Sequence, residues 1–239
     1  MSDLGTMLWK EVTELFGNGR FLRVFVLVVL AFGILPSISA AHQHGAPPQA
    51  EALVALLRSI FVLFAVMVVV AQTAPDLVLH ERVGHTLEYL LTTRLPDWAI
   101  FGAKVLTASA VGYATALLSM GVQLVVVGIL SGQGLHWLFL ATAGGRIIVL
   151  GMTAGLALYT SVVGTFVALR VGDQRGAYLV TVFAVGILIA PFLVGWLHVS
   201  LTTAWLGRAA EVFGAFVLVL GFVGLRLFRR HKLVLYLQE

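Results

Sequence analysis

The sequence predicts an all-α polytopic membrane protein in which an N-terminal amphipathic helix precedes six transmembrane helices. Two observations of composition support this fold class. Hydrophobic residues make up 60% of the 239 residues and charged residues only 11%, and the mean hydropathy is +1.01. These values lie outside the range of ordinary soluble domains. The apolar residues also form runs long enough to cross a bilayer, and we expect them to build one transmembrane domain.

The first predicted element covers residues 3–17, before any spanning run. Lys10, Glu11 and Glu14 lie largely outside its apolar face. That face is formed at helical spacing by Leu4, Met7, Leu8, Val12, Leu15 and Phe16. Such a pattern indicates an amphipathic helix that lies on the membrane surface.

Six apolar runs follow, at about residues 21–41, 53–74, 99–130, 138–168, 177–197 and 209–228. The third run has about 32 residues, or near 48 Å, and should tilt or project into water because the hydrocarbon core is only about 30 Å thick. A cleaved signal peptide is the rival interpretation of the first run, but its basic region would be unusually long. The stretch 198–208 is only modestly apolar and is interpreted as a re-entrant outer loop.

The distribution of basic residues predicts which side of the membrane the termini face. An even number of spans places both termini on one side. Of the 15 lysines and arginines, twelve fall on that side and three, Arg58, Arg146 and Arg208, on the other. The positive-inside rule therefore predicts cytoplasmic termini. It also makes residues 76–98 a cytoplasmic loop between the second and third spans.

Motifs of enzymes and of self-powered carriers are missing from the sequence. It contains no HExxH, GxSxG or GxxxxGK[ST] pattern, and it has no cysteine for a thiolate metal site or a disulfide. All eleven acidic residues lie in loops, surface helices or span ends, so none is placed at mid-membrane to carry a coupling ion or proton. The chain is therefore not expected to be an enzyme. If ATP drives it, a partner subunit must bind the ATP.

The loop 76–98 concentrates polar chemistry between two apolar runs. Glu81, Thr86 and Glu88 flank a short predicted helix, and Pro96 ends it before the next span. The apolar edge of that helix consists of Val83, Leu87, Leu90 and Leu91. Two interpretations remain open from periodicity alone. The segment is either a tethered helix that transmits a displacement to the spans or a connector whose charged residues keep it solvated.

Two segments resemble the permease subunits of the ABC transmembrane type-2 exporter family. The sequence ERVGHTLEYLL from Glu81 to Leu91, followed by Pro96 and Lys104, is similar to the loop signature of that family. The opening Leu8-Trp9-Lys10-Glu11-Val12 resembles its N-terminal start. One position departs from the family pattern: His85 stands where glycine usually precedes the Thr-Leu-Glu triplet, so either the turn is shifted by one residue or His85 adds a titratable group.

The resemblance implies a membrane-spanning exporter subunit in the cytoplasmic membrane of a prokaryotic cell. In that family two permease copies or close homologues work with two cytoplasmic ATPase subunits, which bind the ATP and Mg²⁺, and the permease itself binds no cofactor. The resemblance assigns ATPase coupling to Glu81, Arg82, His85, Thr86, Leu87 and Glu88, and assigns Trp9, Lys10 and Glu11 to the interfacial helix. A non-transporting scaffold or assembly factor that recruits an ATPase is the alternative function. Substrate identity stays open, as does the choice between a homodimer and a heterodimer.

Three further features allow both a functional and a structural interpretation. Arg58 and Arg146 either face an anionic group in an outer cavity or extend to the outer interface. His42 and His44 offer two imidazoles to a metal, without a third ligand nearby. The GxxxG pair from Gly151, together with other glycines such as Gly112, indicates close helix packing within the chain or between two copies.

Overall fold

The computed structural model describes residues 3–41, 48–84, 96–131 and 147–198, together with Glu211, Ala215 and Val219. These residues form α-helices and one π-helical turn, Ile147–Met152, and contain no β-strand. The α-helices are α1 (Asp3–Gly17), α2 (Gly19–Ala41), α3 (Pro48–Val83), α4 (Asp97–Ser131), α5 (Thr153–Arg170) and α6 (Gln174–His198). The predicted all-α architecture is confirmed for this part of the chain.

Four helical segments are long and apolar enough to cross a membrane: Gly19–Ile38, Arg58–Arg82, Trp98–Leu130 and Leu150–Arg170. They overlap the first four predicted spans. Large apolar side chains point outward from the bundle, including Leu27, Ile129 and Phe183, which are 66%, 73% and 71% exposed. Lipid tails suit such faces, whereas water does not. The chain is therefore a membrane-embedded protein.

The remaining predicted spans are described only in part. Helix α6 covers the range 177–197 predicted for the fifth span. The ranges predicted for the re-entrant loop, 198–208, and the sixth span, 209–228, lie outside the described residues except for His198, which ends α6, and three isolated helical residues, Glu211, Ala215 and Val219.

Helix α3 lies at the centre of the bundle. Of its most apolar window 78% is buried, against 33% for the window of α2, and α3 contacts α2, α4, α5 and α6. At Gly112 the backbone of α4 closely approaches side chains of α3 and α5. A Cβ at this position would lie 2.2 Å from Val70 Cγ2 of α3 and 3.3 Å from Ala157 Cβ of α5. Gly112 therefore serves packing within the chain. At Gly151 the corresponding Cβ position has no described residue within 4 Å outside its own stretch of helix.

The end of α3 differs from the predicted boundary between span two and the loop. The sequence placed the end of the span at Ala74, yet α3 continues through Pro75 and Asp76 to Val83. The helix can continue past Pro75 because the apolar residues that follow it, Leu77, Val78 and Leu79, are buried among neighbouring helices. The first part of the predicted loop 76–98 is therefore helical, and Asp76 and Glu81 contact side chains of other helices, whereas His80 is exposed.

Helix α1 has the predicted bounds, but its apolar face packs onto the bundle. Met7 is buried against Ile100 and Phe101 of α4 and Val162 of α5. Trp9 lies on the other face and is 73% exposed. The helix is amphipathic as predicted, and the surface that it covers is protein at the start of α4 and the end of α5. A movement of α1 must therefore act directly on those two helices.

Gln123 satisfies a backbone carbonyl that proline leaves without a partner. Pro36 lies inside α2 and has no N–H to donate to the carbonyl of Phe32 one turn earlier. Gln123 of α4, 2% exposed, donates from Nε2 to this Phe32 oxygen at 3.0 Å and to the Arg58 carbonyl of α3 at 3.4 Å. The amide thereby joins three helices where no water is available to replace it.

We predict that Gln123→Leu lowers the free energy of unfolding by about 1–2 kcal/mol, because the Phe32 carbonyl loses its donor. In a Pro36→Ala background the helix N–H at position 36 can serve that carbonyl, so the same substitution should cost less than about 0.5 kcal/mol. Denaturant titrations of the four proteins in micelles measure both costs. Equal costs in the two backgrounds would contradict this role of Gln123.

Candidate functional site

Several helix ends meet at one end of the bundle and bring most of the described basic residues together. The end of α3 meets the start of α4 through Lys104 and the start of α6 through a hydrogen bond from Gln174 to Asp76. The basic residues at this end are Lys10, Arg20, Arg23, Arg82, Lys104, Arg170 and Arg175. Arg58 lies toward the opposite end of α3. The two ends of the described bundle therefore differ strongly in their number of lysines and arginines.

A buried ammonium group joins three helices at the positive end. Lys104 of α4 is 2% exposed, and its Nζ lies 2.9 Å from Glu11 Oε1 of α1 and 2.6 Å from Glu81 Oε2 of α3. It also donates to the Leu77 carbonyl of α3 at 2.7 Å. A lysine ammonium has three protons to donate. Lys104 donates hydrogen bonds to Glu11 and to the Leu77 carbonyl and forms an ion pair with Glu81, and these partners belong to two other helices.

Glu81 uses both carboxylate oxygens to join lysines from different helices. Its Oε2 faces Lys104, and its Oε1 accepts a hydrogen bond from Lys10 Nζ of α1 at 2.6 Å. Lys10 lies at the rim, about one third exposed, with Glu14 Oε1 3.6 Å away. We call Lys10, Glu11, Glu81 and Lys104 the buried ion network. Two ammonium and two carboxylate groups give it balanced formal charge, which is the condition for burying ions at tolerable cost.

The two carboxylates of the network are compensated unequally. Glu81 contacts two ammonium groups, whereas Glu11 contacts Lys104 at Oε1, and its buried Oε2 has no hydrogen-bond partner among the described residues. Burial, together with the nearby charge of Glu81, raises the pKa of Glu11 above its usual range, although Lys104 opposes the change. Burial alone would lower the pKa of Lys10, but the hydrogen bond to Glu81 and the surrounding carboxylates outweigh it and raise that pKa.

The carboxylates of this region also come close enough together to be compared with a metal site. Glu11, Glu14 and Glu81 each place one oxygen within 4.8 Å of the others. The ammonium groups of Lys10 and Lys104 already contact Glu11 and Glu81 at 2.6–2.9 Å, and Lys10 lies 3.6 Å from Glu14. A divalent cation would have to displace or repel both lysines. The donor set fits an ion-pair network better than a metal site.

The structure brings together residues from both sequence segments that resemble the exporter family. Lys10 of the opening segment contacts Glu81 of the loop segment. Glu11 of the opening segment contacts Lys104, which in turn contacts Glu81. Glu81 is only 3% exposed, so its side chain acts within the chain and presents little surface to a partner. Arg82 follows it and is half-buried.

Other predicted site residues lie elsewhere. Arg58 is half-buried near the opposite end, and its Nε has no hydrogen-bond partner among the described residues. The residues outside the described part are His42, His44, His85, Thr86, Leu87, Glu88 and Arg146. Their predicted roles stay predictions.

Sequence reasoning assigned Glu11 to the polar side of α1 and gave Lys104 no structural role. The structure buries both, at 1% and 2% exposure. A signal was present, because Met7, Glu11 and Leu15 are spaced by four residues and therefore share one helical face. A carboxylate in the middle of an apolar stripe requires a cation from another element, and Lys104 lies a short way inside span three.

We predict that Lys104→Met lowers the free energy of unfolding by about 3–5 kcal/mol, because it leaves Glu11 and Glu81 buried without their shared cation. Glu14→Gln removes a carboxylate from the same helix at a site that is about half exposed, and should change the value by less than about 0.5 kcal/mol. Denaturant titration of the full chain in micelles provides the measurement.

Adding Glu11→Gln to Lys104→Met should recover part of the loss, since it removes the buried carboxylate that loses its ammonium partner, whereas Glu81 keeps Lys10. If Lys104→Met and Glu14→Gln destabilise the chain equally little, the network does not hold α1 to the bundle.

Comparison with known proteins adds no family assignment. No protein-family model matches the chain, and no curated protein matches its sequence. The likeness to the ABC transmembrane type-2 family therefore rests on the two quoted segments and remains a prediction. The buried ion network is a property of this chain whatever its family.

Proposed function

We propose that the chain is the membrane-spanning subunit of an ATP-driven exporter whose nucleotide-binding subunit is a separate cytoplasmic ATPase. One observation carries the proposal. The ion pairs Lys10–Glu81 and Glu81–Lys104 connect the surface helix, the central helix and the start of the next span. They meet at Glu81, the first residue of the segment Glu81–Leu91 that resembles the loop signature of the exporter family.

The network supplies a physical route for coupling. A displacement of the predicted coupling loop would act on the last turn of α3, where Glu81 lies. Because Glu81 binds Lys10 and Lys104 at 2.6 Å each, α1 and α4 must follow or one part-buried and one buried ion pair must separate. Separating a buried pair costs several kcal/mol. Movement of the three helices as one unit is therefore the easier response.

The proposed topology has six spans with both termini in the cytoplasm. It is supported by the uneven distribution of lysines and arginines in the described bundle. Seven of them lie at the end that carries the network, and Arg58 lies toward the other end. The positive-inside rule assigns the basic end to the cytoplasm, which is where an ATPase would have to bind. The prokaryotic cytoplasmic membrane, two ATPase subunits and a second permease copy follow from the family resemblance.

We predict two separable defects in the complex of the tagged chain with its ATPase. Glu88→Ala, in the segment that resembles the docking helix, should reduce the amount of ATPase that co-purifies. Lys104→Met should keep the ATPase bound but reduce its stimulation by at least about fivefold, the factor for a coupling free energy of about 1 kcal/mol. Binding is measured by pull-down and stimulation by phosphate release in proteoliposomes.

Two controls distinguish coupling from loss of the fold. Glu14→Gln should leave binding and stimulation unchanged, and Glu11→Gln, which retains the Glu81–Lys104 pair, should give an intermediate loss of stimulation. A pull-down that brings no ATPase would refute the exporter function. An ATPase that binds but responds to none of these variants would favour the non-transporting scaffold.

A further inference from the structure

A second polar feature lies between α3 and α6 and shares no residue with the buried ion network. It is a cavity of about 340 Å³ lined by Gln72, Pro75, Gln174, Arg175, Tyr178 and Leu179. This volume is within the range of about 300–1,000 Å³ that small-ligand sites occupy. A hydrogen bond from Gln174 to Asp76 joins the two helices beside it. The cavity therefore has a defined wall on each side.

Among the described residues, one basic side chain at the cavity, Arg175, has no carboxylate in contact with it. Asp76 accepts the hydrogen bond from Gln174 and also interacts electrostatically with His80 and Arg20. Arg175 is exposed, and among the described residues no carboxylate lies within 4.0 Å of it. A guanidinium is suited to phosphate because its planar donors can bind two oxygens at once. The cavity thus presents an anion-binding group that no carboxylate among the described residues contacts.

An apolar stripe begins at the cavity and leads away from it along α6. Leu179, which lines the cavity, is followed on the same helical face by Phe183 and Ile187, and these side chains are 54%, 71% and 72% exposed. Eight residues of helix span about 12 Å. Half-buried Tyr178, at the base of the stripe, is a residue type typical of the membrane–water interface. The surface therefore changes from cationic and polar to apolar over the length of an acyl chain segment.

We propose that this cavity binds the headgroup of an anionic phospholipid from the leaflet at the basic end of the bundle. The phosphate lies against Arg175, the amide of Gln72 and the phenol of Tyr178 offer hydrogen bonds, and one acyl chain follows Leu179, Phe183 and Ile187. The inference needs only that the chain spans a membrane, so it stands apart from the proposed exporter function. By joining α3 to α6, the lipid would stabilise the described bundle.

The test uses the full chain, purified in detergent and stripped of lipid, with phosphatidylglycerol or phosphatidylcholine of identical acyl chains added back. Native mass spectrometry counts the lipids retained, and the thermal unfolding midpoint reports stabilisation. The chain should retain phosphatidylglycerol in preference. Arg175→Gln should reduce that retention about fivefold, the factor for loss of about 1 kcal/mol per basic residue. Arg170→Gln, an equally exposed arginine outside the cavity, should retain the lipid like the unaltered chain.

Each other outcome overturns the inference in a distinct way. Equal losses in the two variants would mean that anionic lipid is attracted by the whole basic surface. Equal retention of both lipids would exclude recognition of a negative headgroup. Stabilisation by inorganic phosphate alone, to the same extent, would mean that the occupant is a free anion. Arg175→Lys keeps the charge without the planar fork, so it provides a folded comparison with partial retention if Arg175→Gln proves unstable.

Discussion

The buried ammonium of Lys104 is the constraint on which the positive end of the structure depends. A lysine with 2% exposure is tolerable only if its charge and its protons are satisfied inside the protein. Glu11, Glu81 and the Leu77 carbonyl provide this, and they belong to α1 and α3. The position of the surface helix, the path of α3 past Pro75 and the entry of the chain into α4 are therefore linked through one group. Helix α3 ends at Val83, two residues after Glu81, so a displacement of the chain beyond Val83 would act close to the Lys104 ammonium.

Buried polar groups must also be satisfied inside the opposite half of the bundle, where the groups involved are neutral. Gln123 supplies the donor that Pro36 removes and joins α2, α3 and α4. Because a bilayer offers no water to unpaired polar groups, both contacts specify how the helices fit together more sharply than apolar packing can. The two differ in their consequence. Loss of the amide leaves the Phe32 carbonyl without its donor, whereas loss of the ammonium leaves Glu11 without its cation and Glu81 with Lys10 alone.

Composition and run length were sufficient to predict the helical membrane fold, the bounds of α1 and the first four spans. The end of α3 was missed because Pro75 and Asp76 resemble a stop signal, and only tertiary contacts show that the helix continues. Glu11 lay on the apolar face by its spacing from Met7 and Leu15, but its cation comes from a residue 93 positions away. Such a pairing depends on how helices pack, which periodicity within one helix cannot reveal. The two segments that resemble the exporter family contain Lys10, Glu11 and Glu81, and Lys104 follows the second of them.

The claim that Lys104 holds α1 to the bundle can be measured directly as a distance. The chain contains no cysteine, so spin labels can be attached at Thr13→Cys on α1 and Leu106→Cys on α4, both at exposed positions. Electron paramagnetic resonance in nanodiscs should give a narrow distance distribution, and Lys104→Met should broaden it while Glu14→Gln leaves it unchanged. A distribution that stays equally narrow in Lys104→Met would contradict the account, because α1 would then be held by apolar packing alone.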